Sequence, residues 1–140
     1  MRRFLLAGLA MLLVVCGGDK ATGPESLSGT YTLRTVDGKT VPAVVFQDSQ
    51  ERDEVLSGSI TLSSDKSWSG ILAVRATDLT SSQVFPQTFP IGGTYAVSGG
   101  SITLTDTANQ LLLSGSVGGG TLTIGIDLGL STTTALVYRK

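Results

Sequence analysis

The chain has 140 residues, no histidine, one cysteine and a formal net charge of −1. Without histidine the commonest general base and zinc ligand are missing, and a single thiol allows neither an intrachain disulfide nor a cysteine metal cluster. From Cys16 onward eight scattered basic side chains face eleven acidic ones, net −3, so no phosphate-binding stripe forms and nucleic acid is not an expected partner.

At the N-terminus, Met1-Arg2-Arg3 precedes an uncharged apolar run over residues 4–15. About a dozen residues suits the h-region of a signal peptide and is short for a bilayer core of ~30 Å. The run ends Leu13-Val14-Val15-Cys16-Gly17. This resembles the bacterial lipobox, in which a branched apolar residue, one or two smaller residues and an obligatory Cys mark lipidation and cleavage. Leu13 and Cys16 match; Val15 stands where Gly, Ala or Ser is usual. The resemblance implies a signal-peptide helix over residues 1–15 and an acylated Cys16 (thioether-linked diacylglycerol, palmitate-type chains) that tethers the chain to a membrane. One acyl chain binds marginally, and two or more anchor stably. Gly17, in place of Asp, favours the outer membrane; the periplasmic face of the inner membrane and the cell surface are the alternatives. Residues 16–27, with three Gly and one Pro, read as a flexible linker.

Residues 28–140 read as one all-β domain. Thr alternates with Ile, Leu and Val, the pattern of half-buried strands. Strands are predicted over residues 29–36, followed by an Asp37-Gly38 turn, and over 41–46, with Pro42 at the start or on an edge. Residues 47–54 read as a polar loop or a single helical turn. A hairpin pairs 59–62 with 68–76, placing Trp68, Leu72, Val74 and Ala76 on one face. Residues 77–90 break the rhythm and read as irregular. Strands follow over 94–97, 101–105, 111–117, 121–128 and 133–139, giving eight or nine mostly hairpin-linked strands with no helix beyond two turns. Short echoes, Ser28-Gly29-Thr30-Tyr31 with Gly92-Gly93-Thr94-Tyr95 and Ser59-Ile60-Thr61-Leu62 with Ser101-Ile102-Thr103-Leu104, lack the fixed period of a solenoid.

Gly29-Thr30-Tyr31-Thr32-Leu33 with Val36-Asp37-Gly38 and Val41-Pro42 resembles the opening of small bacterial lipocalin-like lipoproteins. Gly58 to Leu62, Gly93 to Tyr95 and Tyr138-Arg139 match their later strands. Tyr31 replaces the Trp of classical lipocalins. The resemblance implies an antiparallel up-and-down barrel of about eight strands, with a β-sandwich as the alternative. Eight strands enclose either packed side chains or one small ligand. The expected inward set is Tyr31, Leu33, Trp68, Leu72, Tyr95, Ile102, Leu104, Leu122, Ile124, Leu136 and Tyr138.

No catalytic constellation emerges, and neither a cofactor nor a metal is expected. Gly118-Gly119-Gly120 opens a strand and lacks the helix of a phosphate loop. The carboxylates Asp48, Glu51, Asp53 and Glu54 lack the spacing of a calcium loop, and Arg52 interrupts them. They read as a solvated loop. Phe85 and Phe89, each followed by Pro, are expected to fold over the barrel end as a plug; a lip over a ligand cavity or a partner patch is the alternative. Phe85, Phe89, Trp68 and Tyr95 are the candidate contacts.

Two roles are open for a monomeric, non-enzymatic envelope protein: a barrel holding a small apolar ligand, or a packed structural or interaction module. Wild-type protein is expected to take up radiolabelled fatty acid, and Cys16→Ser to give an unlabelled soluble or unprocessed form. An unlabelled wild type removes the lipid anchor.

Overall fold

The computed structural model describes residues 26–127 and 132–140, so the expected signal peptide, Cys16 and most of the linker lie outside the described residues. Ten strands form one antiparallel sheet: β1 (Gly29–Val36), β2 (Lys39–Thr40), β3 (Ala43–Gln47), β4 (Glu51–Leu62), β5 (Ser67–Asp78), β6 (Gln83–Ser98), β7 (Ser101–Asp106), β8 (Leu111–Gly118), β9 (Thr121–Asp127) and β10 (Thr133–Arg139). Consecutive strands from β4 to β10 pair as hairpins, and β1 pairs with both β10 and β4. Eight strands therefore close into an up-and-down barrel, as expected. The short β2 and β3 lie outside the ring, against β1 and β4 respectively. No helix occurs among the described residues.

Alternation places the core. All eleven side chains expected to point inward are buried, joined by Val36, Val55, Ile60, Leu62, Leu113 and Val117. The chain enters at a packed end. There Gly29 pairs with Leu62, the Tyr31 hydroxyl donates to the Leu27 carbonyl at 2.8 Å, and the Tyr95 hydroxyl donates to the Ser63 carbonyl at 2.7 Å. Trp68 spans the interior and donates from Nε1 to the Thr105 carbonyl at 3.2 Å. These bonds let large amphipathic rings fill the barrel without leaving polar atoms unmatched.

Two segments differ from the sequence expectation. Of residues 47–54 only 48–50 form a tight turn, and the rest are strand. Asp48 Oδ1 accepts the backbone N–H groups of Gln50 and Glu51, and β4 begins at Glu51. Residues 77–90 are regular strand apart from a turn over 79–82: β5 and β6 stay in unbroken register from Ser67↔Thr94 to Asp78↔Gln83, through both prolines. The reason lies in which edge carries the prolines. Backbone N–H groups alternate sides along a strand. Tyr95 donates toward the β5 side, to the Lys66 carbonyl, and Gly92 donates toward the β7 side, to Asp106. Pro86 and Pro90 share the parity of Gly92. Their nitrogens face the side where β6 has outrun β7 and no ladder exists.

Close backbone approach fixes one glycine. A Cβ on Gly115 of β8 would run into the Thr123 carbonyl oxygen of β9. Gly115→Ala is expected to cost about 1–3 kcal/mol by overpacking. Gly100→Ala, whose Cβ would meet only the Val117 carbonyl oxygen at 3.9 Å, should stay within ~0.5 kcal/mol. Urea unfolding midpoints at constant slope measure both.

Candidate functional site

Strand length shapes the end opposite the chain's entry. β4, β5 and β6 have 12, 12 and 16 residues, whereas β7 to β10 have 6 to 8. β7 meets β6 only from Thr94 to Ser98. Residues 83–91 therefore run on without a partner on that side, for about 25 Å at ~3.3 Å per residue. One wall of the barrel stands tall and the other is low.

Asp106 holds the seam where β6 departs. Its carboxylate, at the end of β7, accepts the Gly92 N–H at 3.1 Å, the Asn109 N–H at 3.0 Å and the Asn109 side-chain amide at 2.7 Å. These donors, the Asn109 side chain foremost, hold its pKa below the usual carboxylate range. At the far tip, the Thr80 hydroxyl and the N–H groups of Ser81 and Thr80 bring Asp78 down to about 2.

Between the tall and low walls lies a cavity of about 580 Å³, open on one side. Its lining is mostly apolar: Val45, Val55, Leu72, Val74, Phe89 and Ile91 from the tall side, Leu111 and Ile126 from the low side. Register explains the lining. Val55, Val74 and Gln87 oppose one another across β4, β5 and β6, as do Leu72 and Phe89, so they share the inward face. Glu54 and Arg75 are also opposed, one residue out of phase, and they too border the cavity. Glu54 is nearly buried and takes Arg75 Nη2 at 2.7 Å, Arg75 Nε at 2.9 Å and Arg52 Nη2 at 2.9 Å. Two guanidinium groups thus satisfy one carboxylate that the fold withdraws from water.

The candidate contacts separate. Phe89 lines the cavity, and Phe85 borders a second depression nearer the tip with Gln50, Glu51 and Asp78. With 48 % and 45 % of their surfaces exposed, Phe85 and Phe89 do not form the expected plug; they stand on β6 as a lip. Trp68 and Tyr95, 3 % and 6 % exposed, belong to the packed half and do not line the cavity. The four clustered carboxylates divide: Asp48 caps its turn, Glu54 borders the cavity while holding the arginines, and Glu51 and Asp53 border it without an ion pair among the described residues. Among the described residues, no three acidic side chains gather around a point where a metal ion could sit. Val55, Asn109, Leu111 and Ile126 are lining residues that sequence reasoning did not single out. Alternation marks the three strand residues as inward and Asn109 sits in the β7–β8 turn, but only the strand lengths show that the interior opens there.

No protein-family model, curated protein or solved structure matches the chain. The geometry alone defines the protein's class: a closed eight-stranded antiparallel barrel, packed at one end and open at the other.

Phe89 is half exposed, so Phe89→Ala is expected to cost less than about 1.5 kcal/mol, roughly half the worth of a fully buried ring. Leu104→Ala, in the packed half, should cost about 2–5 kcal/mol. Equilibrium denaturation of the two variants beside wild type tests the division into filled base and open mouth.

Proposed function

We propose that this chain is a lipid-anchored envelope protein that holds a small apolar ligand at the open mouth of its barrel. The observation that carries this reading is the cavity of about 580 Å³ with its mostly apolar lining, a size and character typical of small-molecule sites. An apolar hollow of this size at the surface loses free energy to water unless something covers it. The filled base confines the ligand to the mouth and excludes a deep calyx.

The anchor at Cys16 rests on the lipobox resemblance, and the orientation fits it. Ser26 sits at the packed end, where its carbonyl accepts from Lys140 Nζ at 2.5 Å. A tether through residues 16–27 would therefore join the molecule at the end opposite the mouth. The mouth would face away from the carrying membrane, toward the periplasm if that membrane is the outer one.

Chain from residue 16 onward carrying Cys16→Ser contains every described strand and has no acyl group. Titrated with the neutral fluorophore N-phenyl-1-naphthylamine, it is expected to give saturable one-site enhancement. Placing a charge in the lining with Leu72→Glu or Ile91→Glu should weaken the binding at least about tenfold, as an unpaired buried charge would. No enhancement with the wild-type lining, together with no co-purifying lipid-like mass in native mass spectrometry of protein from its own host, would refute the proposal.

A further inference from the structure

The cavity's charged lining is Glu51, Asp53, Glu54 and Arg75, three acids against one base. Arg75, and Arg52 beside it, are both committed to Glu54, at 2.7 and 2.9 Å. The Asn109 amide is committed to Asp106. That leaves the carboxylates of Glu51 and Asp53. Asp53 opposes Ala76, and Ala76 opposes Phe85; Glu51 opposes Asp78. Register thus puts Asp53 and Glu51 on the same face as Val55, toward the hollow. Asp53 is half buried, and among the described residues neither carboxylate forms an ion pair.

A half-buried carboxylate beside apolar surface has lost part of its hydration and gained no counter-charge. A ligand cation at that point would restore the balance, whereas an anionic head group would add like-charge repulsion. The apolar floor of Leu72, Ile91, Leu111 and Ile126 lies next to this pole. Together they match a molecule with an apolar body and a positive end.

We propose that the cavity selects amphiphiles bearing a protonated amine over neutral or carboxylate ones, and that Asp53, assisted by Glu51, sets this preference. The inference rests on the reading of the cavity as an apolar ligand site. The amphiphile's tail occupies the floor beside Phe89, and its ammonium group sits at the Asp53 carboxylate, in the strand row of Phe85. Arg75, the one cation in the lining, is already held by Glu54, so a fatty acid's head would have to compete with that carboxylate beside two more.

The test uses three ten-carbon probes that differ only in the head: decylamine, decanol and decanoate. Each is titrated below its micellar concentration into the Cys16→Ser chain from residue 16 onward, at neutral pH, by isothermal calorimetry. Decylamine is expected to bind at least about fivefold more tightly than decanol, with decanoate weakest, and the gap should narrow as salt is raised. Asp53→Asn should bring the amine within about twofold of the alcohol while leaving decanol affinity unchanged. Glu51→Gln should narrow the gap less. If Asp53→Asn fails to fold, the salt series on the unsubstituted site and the Glu51→Gln variant carry the test. Decanol binding as tightly as decylamine, or decanoate binding best, overturns the charge preference and leaves the apolar site standing. Failure of all three probes to bind overturns the apolar site, and the preference with it.

Discussion

The barrel's character follows from one mismatch. A sheet closes on itself only where every strand has two neighbours. Here β4, β5 and β6 are nearly twice as long as the strands that complete the ring. Below the seam at Asp106 the ring is complete, and its interior is filled by buried Tyr, Trp, Leu and Ile side chains. Above the seam the long strands continue without partners on the far side, so their inward face is apolar but uncovered. The filled base and the open mouth are two results of the same alternation, read with and without an opposite wall.

Much of this was legible in the sequence because period-two alternation is a property of the backbone. It gives the inward face wherever strands are regular, and it placed all eleven inner side chains correctly from Tyr31 to Tyr138. Strand ends were less legible. Residues 47–54 carry five charges, and residues 77–90 carry two prolines and flanking phenylalanines; both patterns normally mark connections. They are compatible with strand here because the tall wall has an edge and a wet face. Proline is tolerated where no N–H is needed, and carboxylates where one side meets water. The hollow therefore lies where general expectations about loops fail. The length of β6 relative to β7, which creates it, is a long-range property that no local window contains.

Charge follows the same axis. At the packed end, Lys140 Nζ and Lys66 Nζ lie 5.3 Å from the ring centroids of Tyr31 and Tyr95, where cations and aromatic faces attract. At the other end Asp48, Asp78 and Asp106 are each engaged by turn or backbone donors, which hold their pKa values down. They remain ionised through mild acid. The contribution of these bonds to stability is present above the ordinary carboxylate pKa and is lost only as pH falls through the depressed values.

The prolines of β6 have a consequence beyond their fit. An unpaired strand edge about 25 Å long, beside exposed Val84, Phe85 and Phe89, is the kind of template on which a second chain can add a strand and begin a fibril. Along that edge, residues 84, 86, 88 and 90 turn their backbone toward solvent, and two of the four have no hydrogen to offer. An incoming strand would find donors only at Val84 and Thr88, spaced too widely to sustain a continuous ladder. The molecule can therefore keep a long open wall beside its hollow at high local concentration without that wall recruiting its neighbours into aggregates.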